Sequence, residues 1–227
     1  EPAQDPPNAS PIELSPPQYM KWTAIDDVDN ALLYYNEYGA DWLKNGNMAI
    51  QLTYYKCHGE PCPTDEPVTT RGFLHGRLET LKTCSMDTVE FTKVFCDPKV
   101  KAIKSHTENM ISVINGHGID CHLIGLQSQI RDEEKSRATL FTDPSYYAQS
   151  IRYKLSSSNM GPALCFHTGF GPLVPDGYAI CYIFEKDKLK INIISWKKCK
   201  ETDSVIFRKA LEESLDDLRE ILSQYTK

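Results

Sequence analysis

The sequence predicts an α/β domain in which helices lead into a short β-sheet and a last helix covers it. Three observations carry this reading. Residues 86–137 place apolar side chains at helical spacing; residues 151–196 turn to short runs rich in Ile, Tyr, Phe and Cys; residues 203–223 form one long amphipathic stripe. Helices, then strands, then a covering helix give one layered structure rather than several units. The 227 residues suffice for one sizeable core.

In chain order, residues 1–18 hold six prolines and read as an extended arm, with a glycosylation sequon at Asn8-Ala9-Ser10. Residues 19–227 are expected to make a single domain. Residues 22–33 combine Asp26, Asp27 and Asp29 with Val28, Leu32 and Leu33, predicting a helix with an acidic first turn. Residues 41–55 keep helical spacing, interrupted by a turn at Asn45-Gly46-Asn47. With Gly59, Pro61, Pro63 and Pro67, residues 57–69 read as a loop. A helix over 86–95 has Ser85 placed to cap it and Asp87 in its first turn. Two more, over 101–114 and 119–137, are separated by Asn115-Gly116-His117-Gly118. Strands are expected over 151–155, 163–168, 178–184 and 189–196, the last two as a hairpin. The closing helix carries Ile206, Phe207, Leu211, Leu215, Leu218 and Leu222 on one face and Glu212, Asp216, Asp217 and Glu220 on the other.

Composition excludes some functions. The net charge of −6 argues against nucleic-acid binding, which needs a basic face. No apolar run is long enough to span a bilayer. The chain starts at Glu1, so a processed chain or a fragment is expected, and the acidic, Pro-rich start favours secretion. Eight cysteines allow four disulfides, with Cys57 and Cys62 the expected local pair; buried free thiols are the competing reading. No CxxC pair is present, so no metal site is expected.

Three collinear segments carry a resemblance. The first runs Thr69-Thr70-Arg71-Gly72-Phe73-Leu74-His75-Gly76-Arg77-Leu78-Glu79-Thr80. The second is His122-Leu123-Ile124-Gly125-Leu126. The third joins Leu155-Ser156-Ser157-Ser158, then Phe170-Gly171-Pro172-Leu173-Val174-Pro175-Asp176-Gly177-Tyr178, then Cys199-Lys200-Glu201-Thr202. Together they resemble the C-terminal domain of the carnitine/choline O-acyltransferase family, from about residue 22 onward. The resemblance implies a CoA-dependent acyltransferase-like α/β domain with a mixed β-sheet and packed helices. In whole members of the family the reaction tunnel runs between this domain and a second one.

Acyl transfer from CoA to a hydroxyl needs a proton acceptor and donors for the oxyanion. In the family the base is a His with an acid four positions later, supplied by the other domain. Here His58, His75, His106, His117, His122 and His167 are the candidates, and only His75 has such an acid, Glu79, inside an unrelated motif. No catalytic residue is therefore expected in this chain. By resemblance Ser156, Ser157 and Ser158 correspond to the oxyanion and substrate strand, whose last serine helps bind substrate and the developing charge, although a polar strand serving structure alone fits the triplet too. The carnitine-site positions are substituted, with Asp65 for Tyr, Leu78 for Thr and Cys121 for the carboxylate-binding Arg. That Arg contact contributes roughly 1.5–3 kcal/mol and a thiol cannot replace it. Of two phosphate-binding lysines only Lys44 remains, the other position being Ala40, while Glu66 is retained at the CoA site. Thr168 and Phe170 fall at the acyl pocket by resemblance, or are plain core.

Two readings follow. In one, the chain is a non-catalytic, pseudoenzyme-like domain that binds a partner or a small apolar ligand, with no cofactor. In the other, it is one chain of a two-chain acyltransferase, with CoA as cosubstrate and the base on the chain holding the N-terminal half. A face left exposed by the missing half should drive homo-oligomerisation or hold that partner.

Overall fold

The computed structural model describes residues 27–36, 46–70, 72–74, 78–94, 99–160, 168–185 and 188–223. The arm at 1–18 with Asn8, the residues Ala40, Lys44, His75 and His167, and nearly all of the strand expected at 163–168 lie outside them. The described residues form strands β1 (Val28–Asn36), β2 (Thr64–Thr69), β3 (Leu78–Lys82), β4 (Leu155–Asn159), β5 (Tyr178–Phe184) and β6 (Lys188–Trp196). The helices are α1 (Gly46–His58), α2 (Met86–Val94), α3 (Lys99–Ile114), α4 (Asp120–Ser128), α5 (Pro144–Ser150) and α6 (Ser204–Ser223).

The strands make one mixed sheet in the order β1-β6-β5-β4-β2-β3. β4 runs parallel to β2 and β5, and the other neighbours are antiparallel. Because side chains alternate along a strand, each strand gives one set of residues to each face. Leu33, Tyr35, Leu155, Tyr178, Ile180, Tyr182, Leu189, Ile191 and Ile193 point to the core face, where they meet Ile50, Leu52, Tyr54, Phe207, Leu211 and Leu215 of α1 and α6. This contact is the main core, and it leaves the opposite face of the sheet to carry different chemistry.

The closing helix follows its pattern. Asp203 caps it, accepting the amides of Val205 and Ile206 at 2.8 and 2.9 Å, and Phe207, Leu211, Leu215 and Leu218 are buried. Ile206, assigned to the apolar stripe, is exposed. Ser85 caps α2 through the Thr88 amide at 3.2 Å. The break between α3 and α4 turns on Gly116, whose φ of 84° suits glycine.

Five expectations are corrected. Val28–Asn36 is a strand, where a helix was expected over 22–33. The three aspartates resemble an acidic first turn, yet Ala31, Leu33 and Tyr35 are buried while Leu32 is exposed, which is strand alternation. The loop expected at 57–69 ends α1 at His58 and then forms β2. β2 accommodates Pro67 because its pairing with β4 stops at Asp65, so no ladder bond is lost there. The strand expected at 151–155 starts instead at Leu155, since α5 and its exit occupy the preceding residues. The helix expected to reach 137 stops at Ser128 and gives way to two short 3₁₀ turns. Cys57 and Cys62 are separate free thiols, as are Cys84, Cys121, Cys181 and Cys199; burial pushes Cys62 up to about 12. Cys57 belongs to the last turn of α1, whereas Cys62 lies buried in the segment leading into β2, which gives the two sulfurs different surroundings.

Candidate functional site

The triple-serine strand β4 sits between β2 and β5, and its alternation divides the serines between two faces. Ser157 turns to the helix side. There it donates to Glu66 at 3.2 Å, and Glu66 also accepts the Tyr182 hydroxyl at 2.5 Å and the Asn47 amide. Asn47 lies in the first turn of α1, so the cluster pins that helix to β2. All three donors are neutral. Burial raises the Glu66 carboxyl above its usual range, while the Tyr182, Asn47 and Ser157 bonds pull the other way. Glu66 is only 5% exposed, so it is an internal group of this domain.

Ser156 and Ser158 belong to the other face. Ser156 lies opposite Asp65 in the ladder. Burial raises the Asp65 carboxyl, the Ser156 hydroxyl beside it opposes this, and the nearby Asp120 charge adds to the rise. Asp120, buried at the start of α4, pairs with Lys82 at 3.0 Å and accepts the Tyr153 hydroxyl at 3.2 Å. Lys82 in turn faces Asp65 across β2 and β3 and donates to Ser150 at 2.8 Å. Desolvation and the Asp120 charge push the Tyr153 phenol well up, keeping it a donor.

The three substituted positions gather beside this cluster. Cys121 donates its thiol to the Leu78 carbonyl at 3.4 Å. Its backbone amide donates to the buried Glu79 at 3.0 Å, which also accepts the Thr80 amide at 2.8 Å. Glu79 therefore caps α4 from β3 and fixes where Cys121 sits. Asp65 joins Leu78 and Cys121 through Asp120, the residue before Cys121.

Farther along the same face, Ser158 lies opposite Cys181, which meets the Thr168 hydroxyl and the Phe170 backbone. The Thr168 carbonyl accepts Asn192 at 3.0 Å. Among the described residues the cavity lined by Thr168, Cys181, Ile183 and Asn192 has a volume of about 10 Å³, barely one water. Thr168 and Phe170 are thus brought to the serine strand, in tight packing. Among the described residues no group of His, Cys, Asp and Glu is arranged to hold a metal.

The described histidines are elsewhere. His58 stacks with Tyr54 and near Tyr178 on the helix side. His106 is buried in α3, His117 lines a cavity with Lys82 and Asp120, and His122 is exposed on α4. Sequence reasoning missed Asn47, Lys82, Asp120, Tyr153 and Tyr182. Tyr182 and Asn47 gave no signal, one lying in an apolar strand and the other in a turn. Asp120 could have been noticed as an acid next to the substituted Cys121.

A six-stranded mixed sheet with a serine-bearing central strand and helices packed on it has CoA-dependent acyltransferase-like architecture. The sequence profile of the choline/carnitine O-acyltransferase family matches residues 19–213, and the chain belongs to that family. It is 31% identical over 221 residues to carnitine O-acetyltransferase of Rattus norvegicus, covering 89% of this chain and 35% of that protein. It is 30% identical over 220 residues to choline O-acetyltransferase of Gallus gallus, covering 88% of this chain and 34% of that protein. The chain therefore spans about a third of the length of these curated relatives. The starter condensation domain of rhizomide synthetase RzmA superposes with a TM-score of 0.45 at 13% identity, over 90% of this chain and 48% of that one.

Proposed function

We propose that this chain is a family domain that does not transfer acyl groups by itself and acts by binding a partner or a small ligand. The observation that carries this is the buried Asp65 carboxyl, which lies opposite Ser156 in the ladder on the outer face of the serine strand. An oxyanion site stabilises developing negative charge with free donors. At Ser156 the neighbouring group is instead the Asp65 carboxyl, and a carboxylate beside a growing oxyanion repels it. Among the described residues no hydrogen bond joins His58, His106, His117 or His122 to the serines of β4, so no described imidazole is set to act as base there.

A specific observation favours a second reading, a two-chain acyltransferase. Leu78, Ile119, Ile124, Leu126, Leu140 and Tyr147, around β3, α4 and α5, are all exposed, and Ile119 lines a cavity with Lys82 and Asp120 of the outer-face cluster. Apolar side chains gathered on one side of a domain suit a partner surface. The occupant is either a second copy or a polypeptide carrying the rest of the family's length, which would bring its own base and CoA.

Incubating the purified chain with acetyl-CoA and either choline or carnitine, then following ester and free CoA by chromatography, tests the first reading. No ester is expected. Turnover by the chain alone overturns it. Ester formed only after adding a polypeptide equivalent to the other two thirds of the relatives' length establishes the second reading. Sedimentation at rising concentration tests the exposed face: self-association is expected, and a strictly monomeric chain removes the second copy as occupant.

A further inference from the structure

We propose that the cavity between residues 172–176 and 198–201 is a binding site for a small uncharged molecule with an aromatic or branched aliphatic body. It lies at the end of the sheet where β5 begins and β6 finishes, and none of its lining residues belongs to the Ser156–Asp65 cluster or to the exposed α4 surface. The inference is therefore independent of the reading above. Its volume is about 780 Å³. Small-molecule sites commonly fall within about 300–1,000 Å³, with mostly apolar walls and a few polar groups.

The apolar wall is Pro172, Leu173, Val174 and Pro175 on one side and Trp196 on the other. Leu173 is 56% exposed, so an occupant that covered it would remove apolar surface from water. Both sides are held in shape without a ligand. Arg152 Nη2 donates to both Asp176 carboxylate oxygens at 2.7 and 2.8 Å, and Lys154 approaches Asp176 at 3.4 Å. The Gly177 amide closes the turn onto the Val174 carbonyl at 3.1 Å, and the Cys199 amide closes the opposite turn onto the Trp196 carbonyl at 3.0 Å. Walls fixed in advance spare a ligand the entropy of ordering them.

The rim decides the ligand's charge. Three cations, Arg152, Lys198 and Lys200, face three anions, Asp27, Asp176 and Glu201. Arg152 is answered by Asp176, and Lys198 by Asp27 at 3.6 Å; Lys200 and Glu201 are neighbours of opposite sign. The rim charges cancel in sum, so an ionic ligand gains no net attraction there, whereas a neutral apolar one loses nothing by it.

Fluorescence titration of the full chain with N-phenyl-1-naphthylamine, a neutral apolar probe, tests the proposal. Saturable binding of one probe per chain, insensitive to salt, is expected. Leu173→Asp sets a carboxylate in the apolar wall and should weaken binding about tenfold or more. The exposed-face variant Ile124→Ser/Leu126→Ser should bind as the parent does. The indole N–H resonance of Trp196, assigned through Trp196→Phe in tryptophan-labelled protein, should shift on titration. Non-saturable binding, unchanged affinity in Leu173→Asp, loss of binding in the Ile124→Ser/Leu126→Ser variant, or an unmoved Trp196 resonance each overturns it.

Discussion

Glu79 ties β3 to the start of α4, and a double-mutant cycle with Gly118 measures that tie. In Gly118→Ala the new Cβ would lie 2.1 Å from Glu79 Cγ and 2.6 Å from Cδ, so one of them must move. Forced overpacking of this kind costs about 1–3 kcal/mol. In Glu79→Ala the Thr80 and Cys121 amides lose their acceptor, a loss of about 1–3 kcal/mol for donors left without a partner. The double variant removes the atoms that the added methyl group strikes, so it should be destabilised by less than the sum, with a coupling of about 0.5–3 kcal/mol. Urea unfolding of the four proteins gives the number. Destabilisations that add within about 0.5 kcal/mol would show that Gly118 and Glu79 do not press on each other as described.

The remaining expectations concern burial and titration. Leu211, fully buried between α6 and the sheet, should lose about 2–5 kcal/mol on change to Ala, read by urea midpoint at constant m. Glu66 has a carboxyl raised from 4.5, so the folded chain holds that proton more tightly than the unfolded one. Its contribution is fully present below pH 4.5 and is lost as pH rises through the folded value, with a slope of at most about 1.4 kcal/mol per pH unit. Glu66→Gln should flatten that part of the stability profile, and an unchanged profile contradicts the buried-carboxyl account. His106 titrates in the opposite sense. Burial lowers it from 6.5, so its contribution is present above pH 6.5 and is lost as pH falls through the folded value; His106→Leu should remove that loss in the same unfolding series.

Long, strongly periodic segments were legible in the sequence. The α6 stripe, the β5–β6 hairpin and the Ser85-capped α2 follow from local pattern, because each repeats one signal over many residues. β1 and β2 were not legible. In β1 the run Leu32-Leu33-Tyr34-Tyr35 hides the alternation that burial reveals, and in β2 Pro67 and the preceding prolines outweigh a strand signal that only the neighbours β3 and β4 complete. β4 is another such case: serines have little strand preference, and Ser156-Ser157-Ser158 is held extended by ladders on both sides. The site divides in the same way. The positions Asp65, Leu78 and Cys121 could be picked out from their motifs, but the cluster uniting them depends on Lys82, Asp120 and Tyr153, from three separate elements. Glu66 carried no local sign of its burial, since its donors Asn47, Ser157 and Tyr182 come from 19, 91 and 116 residues away.

Acyl transfer by the isolated 227-residue chain is the most direct measurement of the central claim. With acetyl-CoA and a hydroxyl acceptor present, ester should form no faster than in buffer, and Ser158→Ala should change nothing. Ester formation above that background, abolished by Ser158→Ala or by replacing any one of the six histidines, would contradict the account.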